Sequence, residues 1–584
     1  MKFLMMRLFI AFIFLTTFLT GKAQTFDWVT TAGGLSSDKG TKIVVDASGN
    51  IYETGYYNEQ GFFGPFDTGF ANPNSKEVYV AKMDPNGNYL WVKHGENYFD
   101  DRGLGLCVDP AGNVYVTGTC WGGIIWGSLS LYNTSSYTDQ IFVIKMDTDG
   151  NEIWIKNAGV NESGYPYNDD HGHDLVSDSQ GNIYLTGFLS NNDVTPLDAT
   201  FDAIIVPIAP QDSLAFIAKL TNDGVWQWVK TFDGIYSDRD NGITVDDEDN
   251  VYVTGGFIET STFGTVTLTS AGAEDIYVVK LDPNGNFLWV AQGGSSLGDR
   301  GNDIIFGNEG NMYVIGEFRD SCSFGSVFYL NNYGSASGRD IFVAKITKDG
   351  NWIWANKAGS KKGLDKGLGI VANNQGNIFV TGQFSSKAKF DDLEVETNGD
   401  SVNVFIAAID TLGAWRWVVQ GGGSDFDRGS GITIDQNCNV YVTGYYTNEI
   451  TFGTFSGSPA TGKEIFTLKV SDVCFDYTVL PPPPPPVVNP TGYAGFHLPT
   501  AFSPNNDSKN DLLQYYAGYD VVSFELQIFD RWGNKMFGTV TNGEFWDGYY
   551  QGELVGSGIY TYTLNVVTID AGETKKTGNI TVIR

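Results

Sequence analysis

The stretch Val108-Asp-Pro-Ala-Gly-Asn-Val-Tyr-Val-Thr-Gly118 decides the fold, because its pattern recurs along the chain in seven copies. Each copy carries one tryptophan in the same place. These are Trp28, Trp91, Trp154, Trp228, Trp289, Trp354 and Trp417, and they stand 61 to 74 residues apart. A self-similar period of this length indicates a repeat architecture, in which each copy is one supersecondary unit.

The fourth copy shows the internal pattern of a repeat. Residues 242–246, 250–255, 275–281 and 286–290 alternate apolar and polar side chains, as strands do. Turns of the Asp-x-x-Gly-Asn type join neighbouring strands, because Asp and Asn cap the backbone and Gly accepts a positive φ. A longer link around Phe263-Gly264 separates the second strand from the third, and we expect it to add a short edge strand. Each copy is therefore predicted to form four antiparallel strands.

Seven such units predict an all-β chain whose main domain, residues 24–479, is a seven-bladed β-propeller. One four-stranded unit cannot bury both of its faces, whereas radial stacking of units does. The first tryptophan strand, around Trp28, has no partner strand before it, and the last partner strand, around Phe466, has no tryptophan strand after it. We therefore expect the N-terminal strand to complete the last blade and close the ring.

The two ends of the propeller region are marked by composition. Residues 1–23 have a charged start, an apolar run of about 13 residues and a small-x-small site at Gly21-Lys-Ala23, which is the pattern of a secretory signal peptide. Six consecutive prolines lie in residues 480–495 and predict a stiff linker. No transmembrane segment is expected once the signal peptide is removed.

The formal net charge of −32 argues against nucleic acid and against anionic membranes as partners. It leaves two interpretations open, an acidic solubilising surface or an affinity for calcium or a cationic partner. The chain has four His and shows no nucleophile elbow, phosphate loop or metal signature. We therefore expect no catalytic residues and no enzyme activity, although paired carboxylates keep a carbohydrate-active enzyme as an alternative.

The repeat units resemble the seven-bladed-propeller repeat family of secreted bacterial proteins, often called SBBP repeats. The resemblance rests on units such as Val108-Asp109 followed by Gly112-Asn113-Val-Tyr-Val-Thr-Gly118, and it covers roughly residues 25–475. It implies architecture and little about activity, because propellers carry many unrelated functions.

Residues 496–584 resemble the gliding-motility-associated C-terminal domain, the type B sorting signal of the type IX secretion system in Bacteroidetes-like bacteria. Alternating runs within them fit a small, Ig-like β-sandwich. The motif residues that carry the resemblance are Pro504, Asn505, Asp507, Asp511, Arg531, Trp532, Gly533, Trp546, Asp547, Gly548, Gly558 and Tyr560. The resemblance implies that the outer-membrane type IX machinery is a partner, and that the protein is exported to the cell surface or the medium.

Two places contain residues that bind metals in other proteins. Asp170, His171 and His173 form an Asp/His cluster that would normally suggest a transition metal. The repeat favours a structural interpretation, because Asp170-His171-Gly172 occupies the place of a recurring Asp-[Lys/Arg]-Gly turn. Asp507 and Asp511 could hold Ca²⁺, the one cofactor considered, or could cap a turn.

The Asp-[Lys/Arg]-Gly turn itself has two interpretations. In the structural one, Asp accepts backbone N–H groups and the neighbouring cation offsets its charge. In the functional one, the carboxylates form a ring at one mouth of the propeller channel. The third copy also carries an insert around residues 189–212, whose loop 191–196 is a candidate binding excursion. The recurring tryptophans are interpreted as core packing between blades, with sugar stacking as the alternative.

The cysteines are too few to form a disulfide framework. Cys438 replaces a turn glycine in the last copy and Cys474 follows its final strand, so these two are candidates for a disulfide, with free thiols as the alternative. Cys107, Cys120 and Cys322 are predicted to be buried free thiols.

Together these features predict an exported, non-enzymatic binding or adhesion protein, in which the propeller holds a glycan or a surface protein. A surface enzyme or accessory subunit acting on polysaccharide is the first alternative. A structural component of the envelope, motility or biofilm apparatus is the second.

Overall fold

The computed structural model describes residues 24–34, 36–70, 75–96, 99–132, 138–160, 168–233, 242–325, 328–334, 338–397, 401–457, 462–471, 473–474, 496–499, 501–502, 504, 512–513, 515–517, 521–539, 545–550, 553–568 and 572–582. Every regular element in these ranges is a β-strand. The predicted signal peptide (1–23) and the predicted linker (480–495) lie outside the described residues. No helix in the described ranges has the length and apolarity needed to cross a membrane.

The repeat region consists of seven units, and its strands are numbered in chain order. Strand β1 (Thr25–Gly34) comes first and belongs to the last unit. Unit 1 consists of β2 (Lys39–Val45), β3 (Ile51–Asn58), β4 (Gln60–Phe63), β5 (Phe66–Phe70), β6 (Lys76–Met83) and β7 (Tyr89–Glu96). Unit 2 consists of β8 (Asp101–Val108), β9 (Val114–Trp121), β10 (Gly123–Trp126), β11 (Leu129–Tyr132), β12 (Asp139–Met146) and β13 (Glu152–Val160). Unit 3 consists of β14 (His171–Ser177), β15 (Ile183–Asn191), β16 (Leu197–Phe201), β17 (Ile204–Ile208), β18 (Asp212–Leu220) and β19 (Trp226–Phe232).

Units 4 to 7 repeat the same order. They are, respectively, β20 (Ile243–Val245), β21 (Val251–Phe257), β22 (Thr260–Phe263), β23 (Val266–Thr269), β24 (Asp275–Leu281) and β25 (Phe287–Gly294); β26 (Arg300–Phe306), β27 (Asn311–Arg319), β28 (Ser321–Phe324), β29 (Phe328–Asn331), β30 (Arg339–Thr347) and β31 (Trp352–Ser360); β32 (Lys366–Ala372), β33 (Ile378–Ser385), β34 (Lys387–Phe390), β35 (Leu393–Glu396), β36 (Val402–Ile409) and β37 (Trp415–Gly421); and β38 (Arg428–Ile434), β39 (Val440–Thr447), β40 (Ile450–Phe452), β41 (Phe455–Gly457) and β42 (Lys463–Ser471).

Four strands of each unit form an antiparallel sheet in sequence order, as β8-β9-β12-β13 do in unit 2. The alternating pattern buries the central strands almost completely, because both of their faces are covered by neighbouring units. The first strand of each unit contacts the first strand of the next, and β38 of unit 7 contacts β2 of unit 1. The seven first strands therefore form a closed cycle of contacts.

The last unit is completed by the N-terminal strand, as the sequence predicted. Strand β1 pairs with β42 from Thr25↔Ser471 to Ala32↔Ile465. This pairing joins the two ends of the repeat region in the sequence. At the seam between units 7 and 1, the buried Glu53 carboxylate accepts hydrogen bonds from Tyr79, Thr443 and Thr467. Burial raises the pKa of Glu53. Glu53 stands where the repeat otherwise has an aliphatic residue, so the closing interface differs chemically from the others.

The link between the second and third strands is a two-stranded hairpin in every unit, where the sequence predicted one short edge strand. Five of these hairpins pair with the fourth strand of the preceding unit, as β10 does with β7 at Ile125↔Glu96. At the turn of each hairpin a buried aromatic residue precedes a residue with positive φ, usually as Phe-Gly, as in Phe263-Gly264; Trp126 replaces the Phe in unit 2, and Asp202 and Asp391 replace the Gly in units 3 and 6. Adjacent units therefore share strands as well as side-chain packing.

The insert in unit 3 is a longer version of the same hairpin and does not form an open loop. Its strands β16 and β17 pair from Leu197↔Ile208 to Phe201↔Ile204, and β16 joins β13 of unit 2. The buried amide of Asn191 donates to the carbonyl oxygens of Thr195, Ile208 and Ala209, which closes the 191–196 segment on itself. The 191–196 loop, which was the predicted binding excursion, is thus held closed by Asn191, while Val194 within it is exposed.

The C-terminal region is also all-β. Its strands are β43 (Phe496–His497), β44 (Ala501–Phe502), β45 (Tyr516–Ala517), β46 (Val521–Phe529), β47 (Lys535–Thr539), β48 (Tyr549–Tyr550), β49 (Glu553–Leu554), β50 (Gly558–Thr568) and β51 (Gly572–Val582). Five of them form the sheet β44-β51-β50-β46-β47, and β43-β45 and β48-β49 form two small sheets. The expected architecture was a small, Ig-like β-sandwich; in the described residues the five-stranded sheet packs around a core that includes Trp546 and Leu526.

Candidate binding site at the centre of the repeat units

The recurring tryptophans lie between units, where they join one unit to the next. Each indole Nε1–H donates to a backbone carbonyl of the following unit at 2.8 to 3.4 Å; the acceptors are Pro85, Thr148, Asn222, Pro283, Lys348, Thr411 and Val473. The glycine of that turn lies on the ring: Gly413 has φ 87°, and a Cβ there would stand 3.0 Å from Trp354. These rings are therefore used for packing, which agrees with the structural interpretation and leaves little ring surface for sugar stacking.

Trp417 obtains its acceptor in a different way from the other six. Their acceptors lie in the turn between the third and fourth strands of the next unit, but in unit 7 those strands are β42 and β1, which no turn connects. The carbonyl of Val473, just beyond β42, takes that place. The adjacent Cys474 forms a disulfide with Cys438, with the two Cα atoms 5.7 Å apart. Cys438 sits in the turn-glycine position with φ 63°, and Cys107, Cys120 and Cys322 are buried free thiols.

The aspartates of the Asp-[Lys/Arg]-Gly turns bind backbone N–H groups. Six of them are fully buried: Asp38, Asp101, Asp170, Asp299, Asp365 and Asp427. Asp365 accepts the backbone N–H of Ser360, at the end of the preceding unit, at 2.5 Å and that of Ser385, in its own unit, at 2.7 Å. Burial raises the pKa of Asp365 to about 6 and that of Asp299 to about 7. Because these oxygens are engaged by the backbone, the geometry favours the structural interpretation over a carboxylate ring open to calcium.

The residues of the predicted metal cluster have separate partners. Asp170 accepts the N–H groups of Val160 at 2.6 Å and Ser190 at 2.9 Å. The His171 Nε2 lies 3.6 Å from the Asp139 carboxylate, and His173 meets His171 edge-on at 5.9 Å. Within the described ranges, no group of three or more His, Cys, Asp or Glu side chains is arranged to hold a metal ion. Asp507 and Asp511 lie outside those ranges.

Three of the cations of these turns face a central cavity of about 220 Å³, to which every unit contributes. Lys39, Arg102 and Arg428 line it from β2, β8 and β38. A β-bulge between Gly40 and Lys42 brings Lys42 to the cavity as well, because the extra residue changes the normal alternation of side chains. From the sequence, these cations were expected only to offset the charge of the neighbouring aspartates. Their presence in five of the seven first strands, with His171 at the same position in unit 3, was the signal that could have identified them.

The floor of the cavity is polar and contains charges of both signs. The Lys42 Nζ lies 2.7 Å from Asp174 and 3.9 Å from Asp303. Burial raises the pKa of Asp174 to about 6, against the lowering effect of Lys42. Asn302 and Ser430 lie beside them. This floor therefore offers both hydrogen-bond donors and acceptors.

The upper part of the cavity holds cations close to one another. The Lys39 and Lys463 ammonium groups lie 4.8 and 4.7 Å from the centre of the same Tyr445 ring. Burial, and then the charges of Lys463, Arg428, Arg102 and Lys76, lower the pKa of Lys39 to about 8. In the parts of the chain that the structure describes, neither Lys39 nor Lys463 has a carboxylate within ion-pair distance. The arrangement is suited to an anion.

The motif residues of the C-terminal region fall into two groups. Trp546 is buried, and Tyr560 donates to the carbonyl of Gly556, so both hold the core. Asp547 caps its turn by accepting the N–H of Tyr549, Pro504 packs against Gly548, and Gly558 begins β50. The other group is exposed. Trp532 is 75% exposed beside the Arg531 guanidinium, in a turn ending at Gly533, and lines a cavity of about 370 Å³. Asn505 lies outside the described ranges.

Comparison with known proteins gives one family match. Residues 496–582 match the model of the CHU_C type IX secretion signal domain. Over 515 residues the chain is 20% identical to an uncharacterized WD repeat-containing protein, L264, of Acanthamoeba polyphaga mimivirus; the match covers 72% of this chain and 36% of the relative, so the chain spans about a third of that protein's length.

Solved structures also show similarity, and two of them serve as examples. One is a member of the duf4221 family from Bacteroides vulgatus (10% identity, 62% of this chain and 92% of that chain, TM-score 0.27). The other is rhamnogalacturonan lyase PL11 from Bacillus licheniformis (11% identity, 66% and 76%, TM-score 0.22). At these TM-scores neither similarity supports an argument about this chain.

The secretion signal domain has a direct consequence for location. It directs the protein through the outer membrane, to the cell surface or the surrounding medium. The central cavity is therefore presented outside the cell.

Proposed function

We propose that the seven units are the blades of a β-propeller of the SBBP type, and that the protein is an exported, non-enzymatic binding or adhesion protein. The closed cycle of first strands and the pairing of β1 with β42 support the propeller assignment. The tryptophan bonds between units make the ring a rigid support, which favours a preformed site.

One observation carries the proposal of binding: half-buried cations lie close together at the cavity at the centre of the ring, and two of them, Lys39 and Lys463, have no carboxylate within ion-pair distance among the described residues. Grouping like charges in this way opposes folding and is explained most simply by an external anion. We propose binding rather than catalysis because both carboxylates of the floor lie beside the Lys42 ammonium, at 2.7 and 3.9 Å.

We further propose that residues 496–584 act as a type B sorting signal of the gliding-motility-associated class, and that Arg531 and Trp532 form the surface that the secretion machinery contacts. Their exposure distinguishes them from the buried Trp546. An exposed indole beside a guanidinium is a common arrangement at protein interfaces.

The export role is tested with a reporter that carries residues 1–23 and residues 496–584, expressed in a type IX-competent cell. The reporter should reach the medium or the cell surface. Trp532→Ala should retain it in the periplasm without lowering its melting temperature. The matched variant Trp546→Ala should unfold the domain instead. Secretion of Trp532→Ala at the wild-type level would refute this use of the exposed surface.

The binding role is tested by the melting temperature of the purified secreted protein against a panel of glycans, with and without calcium. A ligand present at a hundred times its dissociation constant should stabilise the fold by about 2.7 kcal/mol. Cross-linking on intact cells examines the protein-partner alternative. A protein that gains stability from no glycan and cross-links to no neighbour would contradict the proposal.

A further inference from the structure

The cavity at the centre of the ring has two chemically different levels. At the upper level lie Lys39, Arg102 and Arg428, with Lys463 against the same Tyr445 ring as Lys39. Two to three residues further along β2 and β38 lie Lys42 and Ser430, which at about 3.3 Å per residue places the floor roughly 7 to 10 Å deeper.

The upper level is positive in a protein whose net charge is −32. Arg102 shares the Asp100 carboxylate with Lys76. Lys39 and Lys463 instead contact the faces of aromatic rings, and in the described residues neither ammonium reaches a carboxylate. Lys39 lies over Tyr445 at 4.8 Å and Tyr56 at 5.7 Å. A carboxylate or sulfate placed among these groups would gain charge-assisted hydrogen bonds and relieve their mutual repulsion.

The floor adds a second requirement. It combines the carboxylates of Asp174 and Asp303 with polar groups of Asn302 and Ser430. Each of the four carboxylate oxygens already accepts one hydrogen bond, and each has a second lone pair for another donor. Carboxylate acceptors repel a bare anion but accept hydrogen bonds from hydroxyl groups. A ligand that satisfies both levels therefore has one anionic group and several hydroxyls.

The size of the cavity limits that ligand. A volume of about 220 Å³ is below the roughly 300–1,000 Å³ of sites for drug-sized molecules. It accommodates about one sugar ring. The overall negative charge also disfavours a long polyanion such as nucleic acid.

We propose that the central cavity binds a uronic acid residue, free or at the end of a glycan, with its carboxylate among Lys39, Arg102 and Arg428 and its hydroxyls on the floor. This inference rests on the proposed binding function and specifies its ligand class. The ring geometry places the sugar on the axis of the seven units, where all of them contribute to the walls.

The test is calorimetric titration of the full secreted protein with D-galacturonate and D-glucuronate, beside galactose and glucose as neutral controls and sodium sulfate as a simple anion. Uronates should bind at least about tenfold more tightly than the neutral sugars and than sulfate. Equal binding of a neutral sugar, or of sulfate, would overturn the assignment, as would no binding of either uronate.

Variants locate the site. Lys39→Gln should weaken uronate binding by about tenfold or more, and Lys39→Arg should retain most of it because the charge remains. Lys366→Gln is the matched control: it occupies the same turn position in unit 6, but its ammonium is paired with Glu317 at 3.1 Å and does not line the cavity. Arg102→Gln provides a second test if Lys39→Gln fails to fold. Unchanged binding by Lys39→Gln or Arg102→Gln would refute the site.

The result separates this inference from the function on which it rests. If uronates fail to bind while another glycan or a surface protein stabilises the protein, the ligand class is wrong and the binding role stands. If no glycan and no surface protein binds, both fail.

Discussion

Replacing Lys39 by glutamine should stabilise the protein, even though it removes a positive charge from a chain whose net charge is already −32. Burial, followed by the nearby charges of Lys463, Arg428, Arg102 and Lys76, lowers the pKa of Lys39 from its ordinary 10.5 to about 8. At about 1.4 kcal/mol per unit of pKa shift, that difference lowers the free energy of unfolding by at most about 3 kcal/mol. Partial solvent exposure reduces it to about 2 kcal/mol.

The substitution also removes a favourable contact. The Lys39 ammonium lies 4.8 Å from the centre of the Tyr445 ring, and an interaction of that kind contributes about 1 kcal/mol. The expected net effect is therefore a gain of about 1 kcal/mol in the free energy of unfolding at pH 7. The gain should depend on pH. The direction of that dependence follows from the pKa of Lys39 in the folded and in the unfolded state.

The folded state binds a proton at Lys39 less tightly than the unfolded state does. The resulting destabilisation of the natural protein is complete below pH 8 and disappears as the pH rises from 8 to 10.5. The stability gained by Lys39→Gln should accordingly be largest near pH 7 and should be lost by about pH 10.5. At that pH only the loss of the Tyr445 ring contact should remain.

The assay is urea unfolding followed by tryptophan fluorescence, at pH 7 and pH 10, for the natural protein and Lys39→Gln. Lys387→Gln is the control, because that lysine is exposed on β34 and should leave the midpoint unchanged at both pH values. A lower midpoint for Lys39→Gln at pH 7, or a difference that does not shrink at pH 10, would refute the reasoning.

Three further predictions concern the ring itself. Trp354→Ala should lower the free energy of unfolding by about 3 to 5 kcal/mol, whereas Trp532→Ala, at an exposed indole, should change it by no more than about 0.5 kcal/mol; equal effects in urea unfolding would contradict the packing role. Deletion of residues 25–34 should abolish the cooperative transition of the ring in calorimetry, because β42 loses its partner strand, and an unchanged melting temperature would refute ring closure. Reduction of Cys438–Cys474, which spans 36 residues, should lower the free energy of unfolding by about 3 to 4 kcal/mol, and a midpoint insensitive to reductant would exclude a stabilising role.

Much of the architecture follows from local patterns in the sequence. Alternation and turn residues locate the four strands of each unit, and the offset between the Trp28 and Phe466 strands predicts how β1 completes the last sheet. The hairpins were harder to predict, because their pairing with the preceding unit joins segments whose relation is visible only in three dimensions. The Asn191 segment shows the same limit: polar loop composition cannot reveal that a buried amide closes the loop on itself.

The candidate site shows why a motif alone does not specify a role. Lys39 and Lys366 each follow the aspartate of an equivalent turn, in units 1 and 6. Lys39 nevertheless contacts Tyr445 in the central cavity, whereas Lys366 pairs with Glu317. Their difference comes from neighbouring strands that are distant in the sequence. The repeat predicted a cation at each position, but the cavity and its excess of positive charge depend on how those positions converge.

The disulfide beyond β42 also determines how the ring responds to mechanical force. The chain leaves the repeat region at Cys474 and continues towards the C-terminal region that carries the secretion signal. Tension applied to that region would reach Cys474 first and pass through the covalent bond to Cys438, in the turn between β38 and β39. Strand β42 would then be protected from being peeled away from β1, because the pulling force is diverted before it reaches their hydrogen bonds. The ring would thus keep its shape while the C-terminal region is pulled.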